Sequence, residues 1–218
     1  MNKIIVMLTL GLLTQQTNQA QGTVTYLSNL GRPSVGSIPV GNDSWWAASF
    51  RTGTNASGYT LDSIQLAMTD ASGIPNEFTV MLYSFGIGAH PGTSLDTLDG
   101  SLNPMTGGIF VYTPSTSLVL SQFTSYFIVL TAGTAVVDGA YNWSYATGGY
   151  NHSGGWNAPV AGSGIDNFQS FDGVNWSYVS YFPQFAINVT DVPEPGVLGL
   201  FGLGGFAFLW HHRKSKAV

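Results

Sequence analysis

The 218-residue chain contains no cysteine, and charged residues make up only 8% of it. The first absence rules out disulfides, thiolate zinc sites and cysteine nucleophiles. A domain built from this chain is therefore held by its core alone, for which the chain has many Phe, Tyr and Trp residues to draw on. The second absence is a shortage of bases above all. Between residues 21 and 191 only Arg32 and Arg51 are basic, against ten acids, a net charge of −8. Such a surface repels phosphate backbones, so nucleic acid is not an expected partner. Ser, Thr, Asn and Gly supply the solubility that charge supplies elsewhere.

Helical periodicity is also missing between residues 21 and 191: no 11-residue stretch repeats at i, i+3, i+4 and i+7. A period of two takes its place. In Glu77-Phe-Thr-Val-Met-Leu-Tyr83 it sets Phe78, Val80 and Leu82 on one side. The same pattern predicts strands over 23–27, 45–50, 60–68, 108–113, 126–131, 140–146, 175–179 and 184–189, about nine in all. The 126–130 run is apolar on both faces and belongs in the middle of a sheet, whereas Tyr141, Trp143 and Tyr145 alternate with Asn and Ser and predict one wet face. Turn signals such as Ser72-Gly-Ile-Pro-Asn76, His90-Pro-Gly92 and Asp172-Gly173 separate the runs. Short strands so spaced predict an all-β fold, an antiparallel β-sandwich of jelly-roll type. The glycine-rich stretch 148–164 is expected to be a surface loop or a binding loop.

Both ends differ from the middle. Lys3, the largely apolar run 4–13 and polar residues reaching Ala20 read as a signal peptide, residues 1–20. The ectodomain then covers 21–191, a comfortable length for one domain. Residues 192–218 begin Val-Pro193-Glu194-Pro195, continue through fifteen apolar or glycine residues (196–210) and end in a basic stretch (211–218). A helix over 196–210 would be about 22 Å long against a hydrocarbon thickness of about 30 Å, short for a permanent span. Arg213, Lys214 and Lys216 form a basic stop that keeps the end cytoplasmic and leaves the ectodomain outside.

This order of Pro-Glu-Pro, glycine-rich apolar segment and basic cluster resembles the PEP-CTERM sorting signal of Gram-negative bacteria. The resemblance implies export through the Sec translocon and a transient anchor in the inner membrane. It further implies recognition by an exosortase, a membrane transpeptidase-like enzyme, and delivery to the cell surface or to extracellular polysaccharide. The ectodomain in turn resembles the choice-anchor R domain, through Trp46-Ala-Ala-Ser-Phe50, Tyr59-Thr-Leu-Asp-Ser-Ile64, Val80-Met-Leu-Tyr83 with Pro91-Gly-Thr-Ser-Leu95, Tyr126-Phe-Ile-Val-Leu130 and Pro183-Gln-Phe-Ala-Ile-Asn188. That resemblance implies an architecture and a location, without an agreed activity.

The residues for chemistry are sparse. His90 and His152 are the histidines of the ectodomain, there is no G-x-S-x-G elbow, and Glu77 is its lone glutamate. The expectation is a structural or interaction protein rather than an enzyme, with a secreted hydrolase as the third reading, and no cofactor is implied. Asp166, Asn167 and Asp172 offer calcium-type oxygen ligands, or simply turn chemistry, since the full calcium loop pattern is missing. Seven Tyr and Trp residues crowd residues 141–178. Aromatics on strands are first of all core, and Trp143, Trp156 and Trp176 are in second place candidate sugar contacts for an extracellular polysaccharide.

Overall fold

The computed structural model describes residues 22–158 and 167–194. Within them the chain forms fifteen strands and no helix. In chain order these are β1 (Val24–Ser28), β2 (Ser34–Val40), β3 (Trp45–Arg51), β4 (Tyr59–Gly73), β5 (Thr79–Phe85), β6 (Pro91–Thr97), β7 (Gly108–Tyr112) and β8 (Val119–Leu120). There follow β9 (Ser125–Thr131), β10 (Gly139–Ala146), β11 (Asn151–His152), β12 (Asn167–Ser170), β13 (Trp176–Val179), β14 (Phe182–Pro183) and β15 (Phe185–Asp191). Every pairing is antiparallel. One sheet has nine strands, the other six in the order β13-β12-β3-β9-β5-β6, and the two enclose a common apolar core. The predicted leader 1–20, the apolar segment 196–210 and the basic stop at Arg213, Lys214 and Lys216 lie outside the described residues, as do Pro195 and Asp166.

Period two carries most of this. Phe78, Val80 and Leu82 all point into the core, and β9 lies between β3 and β5 with both faces buried, as its unbroken apolar run requires. On β4 the alternation breaks once. Tyr59 and Leu61 are buried, then Ile64, Leu66 and Met68, because the register against β15 shifts between Val189↔Leu61 and Asn188↔Ser63. The extra residue is a bulge that re-aims the rest of the strand.

Three strands longer than two residues exceed the expected set. Of these, β2 carries Gly36 and Pro39, and it pairs with β10 alone, an edge place where a missing N–H costs nothing. β6 opens with Pro-Gly and lies at the other sheet's edge. The third, β12, is a four-residue strand too short to show alternation.

The wet face expected on β10 holds at Asn142 and fails at Ser144. Ser144 is buried, and its hydroxyl bonds Ser34 Oγ at 2.7 Å and Gln184 Oε1 at 2.6 Å. The Gln184 side chain, itself held by Asn29 O and Arg32 O, lies against that hydroxyl, and a buried hydroxyl must be partnered. Nor is the described part of the glycine-rich stretch, residues 148–158, a plain surface loop. Tyr150 and Trp156 are in the core, with Tyr150 Oη donating to Pro183 O at 2.8 Å, and β11 pairs with β1.

Candidate functional site

Two places stand out, at the end of the sandwich where β15 leaves and on the outer face of the six-stranded sheet. The first is built on an aromatic stack. Trp156 lies parallel to Tyr26 (centroids 5.5 Å apart, planes 1°) and to Phe50 (5.9 Å, 9°), with Tyr59 edge-on at 5.0 Å. Loops 52–58, 121–124 and 153–157 gather around it through Thr54 N to Gly154 O (3.3 Å), Phe123 N to Gly53 O (3.0 Å) and Arg51 N to Asn157 O (2.9 Å). Gly53 is required here, since a Cβ would lie 2.0 Å from Gly154 O.

Against this end runs the last strand. Tyr26 Oη donates to Asp191 Oδ2 at 2.7 Å. Burial first, and then that carboxylate, push the Tyr26 hydroxyl up to about 12, so it serves as a donor rather than a base. One residue beyond β15, Val192 N donates to Gly58 O (3.1 Å) and Asn55 Nδ2 donates to Val192 O (3.0 Å). Ala56 N then donates to Glu194 Oε1 at 3.2 Å. The turn supplying these groups is fixed from within. Ser57 N bonds Asn55 Oδ1, Gly58 N bonds Asn55 O and Asn55 N bonds Tyr59 Oη, each at 3.0 Å. Gly58 has φ +85° and packs on Leu120 O, where a Cβ would lie at 2.5 Å. Between turn and exit segment is an open cleft of about 400 Å³, lined by Tyr26, Thr54, Asn55, Tyr59, Asp191 and Glu194 among others.

The second place is apolar. On β3, β5, β9 and β12 the residues that turn away from the core, Ala47, Met81, Phe127, Val129 and Phe168, form a separate cluster flanked by half-buried Trp45, Tyr83 and Trp176. Phe85 stacks on Phe127 at 5.7 Å, and Phe168 meets both Phe127 (5.8 Å) and Tyr178 (6.4 Å) edge-on. Tyr178 and Phe85 are exposed. Trp45 is steadied by its indole N–H on Asn42 O (2.9 Å) and by the Gly173 turn, whose φ is +73°.

The three candidate sugar-contact tryptophans separate accordingly. Trp143 and Trp156 are buried in the main core, Trp143 donating to Gln184 O at 3.0 Å, and Trp176 stands on the outer face. Of the calcium candidates, Asp166 lies outside the described residues, Asn167 opens β12 and donates to Tyr181 O, and Asp172 sits in the turn beyond the other end of that strand. Asp172 is occupied by hairpin donors: Asn175 N (2.7 Å) and Asn175 Nδ2 (2.6 Å) above all, then Val174 N (2.8 Å) and Ser170 Oγ (2.9 Å), hold its carboxyl well below the usual range. His90 sits in its turn with Nδ1 3.1 Å from Pro91 O, and His152 is exposed on β11. Of the sorting residues, Pro193 and Glu194 are exposed at the junction. Asn55, Gly58, Tyr59 and Asp191 are not among the residues that the sequence singles out, although Asn55-Ala-Ser-Gly58 is a turn pattern that marks the loop.

Comparison with known proteins bears on the same segment. Residues 191–214 match the model of the PEP-CTERM protein-sorting motif. No curated protein matches the chain. Among solved structures the fold is similar to the crystal structure of the cysteine protease and lectin-like domains of a surface layer associated protein of Clostridium difficile. That likeness has a TM-score of 0.50 at 10% identity and covers 77% of this chain. The chain spans 36% of the length of that structure.

Proposed function

With a sorting motif set directly behind the last strand as the premise, we propose that this chain is an exported protein. Its sandwich is carried through a transient inner-membrane anchor to the cell surface or extracellular matrix of a Gram-negative bacterium, by exosortase processing after passage through the Sec translocon. There it serves as a structural or interaction domain without enzymatic activity. The observation that carries the reading is the match over 191–214, which implies export and exosortase processing and begins at the final residue of β15. The sandwich ahead of it contributes a body with few charged residues and no disulfide, and we read it as the structural or interaction part of the protein. A purified fragment 21–191 is expected to leave esters and polysaccharides intact. Turnover that disappears in His152→Ala would overturn the non-enzymatic reading.

A second reading, polysaccharide binding, is favoured by the outer face of the six-stranded sheet. Rings of Trp45, Tyr83, Trp176 and Tyr178 there are half-buried or exposed, and the apolar faces of sugar rings stack on such surfaces while hydroxyls find Ser, Thr and Asn at the rim. The solved structure of similar fold contains a lectin-like domain, a property of that protein which gives this face a reason to be tested. If the face binds glycan, added oligosaccharide will shift tryptophan emission, and Trp176→Ala will abolish the shift while the melting temperature stays within a few degrees of the parent. Emission indifferent to every neutral or acidic glycan offered would remove this reading and leave the structural one.

A further inference from the structure

We propose that the 55–58 turn is a docking site for the chain's own sorting motif, holding Val192 and Glu194 against the folded domain until processing releases them. The ligand class is an extended peptide with a carboxylate side chain two residues after the residue whose backbone is bound. Both backbone groups of Val192 are taken, its N–H by Gly58 O and its carbonyl by Asn55 Nδ2. Pro193 has no N–H to extend the ladder, and its ring keeps Val192 extended and fixes the direction of the next residue. Glu194 thereby turns back, and its carboxylate accepts from Ala56 N, a charge-assisted bond to a donor on the same turn.

The turn is suited to this role because internal bonds fix its shape. Asn55 Oδ1 and O hold Ser57 N and Gly58 N, and Tyr59 Oη holds Asn55 N. The exit segment takes three further groups of the same turn: Asn55 Nδ2, Ala56 N–H and Gly58 C=O. Three contacts on two residues of the motif region, from a turn 137 residues away in sequence, are more than a tether needs. An enzyme that reads Glu194 competes with Ala56 for the carboxylate, so the fold restrains processing.

This inference rests on the sorting reading for its consequence, and not for the docking itself. Two measurements keep them apart. In the first, amide exchange is followed on the full chain in detergent. Glu194→Ala is expected to raise exchange at Ala56 about three- to tenfold while the Val192 amide stays protected by Gly58. Equal exchange at Ala56 in parent and variant would overturn the docking. In the second, pulse-chase labelling follows C-terminal processing in cells. Asn55→Ala is expected to speed it about two- to tenfold. A core variant of matched melting temperature, such as Ile187→Val, is expected to leave the rate at the parent's value. An unchanged or slower rate in Asn55→Ala, or equal acceleration in Ile187→Val, would overturn the restraint. A parent that is never processed would instead sink the sorting reading, with the exchange result standing by itself.

Discussion

Replacing Trp143 with alanine is expected to destabilise the domain by about 3 to 5 kcal/mol, the range for removing a large aromatic from a packed core. The side chain is fully buried in the common core, packs on Phe185 at 6.4 Å and donates to Gln184 O at 3.0 Å. Its strand is also a junction, pairing with β4 on one side and β2 on the other. Truncation would leave a large cavity where these strands meet. The Gln184 carbonyl would keep only its bond from Ala67 N at 3.1 Å. Domains of this kind have about 5 to 15 kcal/mol in total, and with no cysteine there is no disulfide to limit the unfolded state. Denaturant titration of parent and variant, with unchanged slope and a lower midpoint, is the measurement. A loss below about 1 kcal/mol would mean that β10 is not packed as described.

The other large effect is on fate rather than stability. Changing Pro193, Glu194 and Pro195 together to alanine is expected to abolish C-terminal processing and to leave the protein in the membrane fraction. Proline at 193 has no N–H to continue the sheet ladder, so the last strand ends just ahead of it, inside the start of the matched motif. Pro193 and Glu194 are exposed, and Glu194 becomes available to an enzyme in the membrane when its bond from Ala56 N opens; replacing these two residues removes no core side chain. The melting temperature is therefore expected to stay near that of the parent, separating a sorting defect from misfolding. Mass spectrometry of the C-terminus and fractionation of cells would read the result. Val218 still attached to mature surface protein, with unchanged location of the triple variant, would reduce residues 192–218 to a plain anchor.

Much of this architecture is legible in the order of residues. The period of two sets Phe78, Val80 and Leu82 on the core face and puts 126–130 in the middle of a sheet, and the Pro-Glu-Pro segment announces itself as contiguous residues in a fixed order. These features are local, and a local pattern survives in the sequence. The strands that escape it are the ones whose residues are Pro, Gly, Ser and Asp. Their conformation at β2 and β6 comes from the neighbour they pair with and not from their own alternation. Tertiary structure alone sorted the tryptophans. Trp156 stands among glycines with no period around it, yet it is the centre of the stack formed with Tyr26 and Phe50. Trp45 and Trp46, adjacent in the chain, go to the outer face and the core respectively, because one step along a strand reverses direction. Tertiary structure alone also brought Asn55 to Val192. The sequence by itself determined an all-β domain followed by a sorting segment, since both are written in short-range order. Which aromatics meet solvent, and what holds the sorting glutamate, were decided by strands distant in the chain pairing side by side, a choice made by the burial of the whole core.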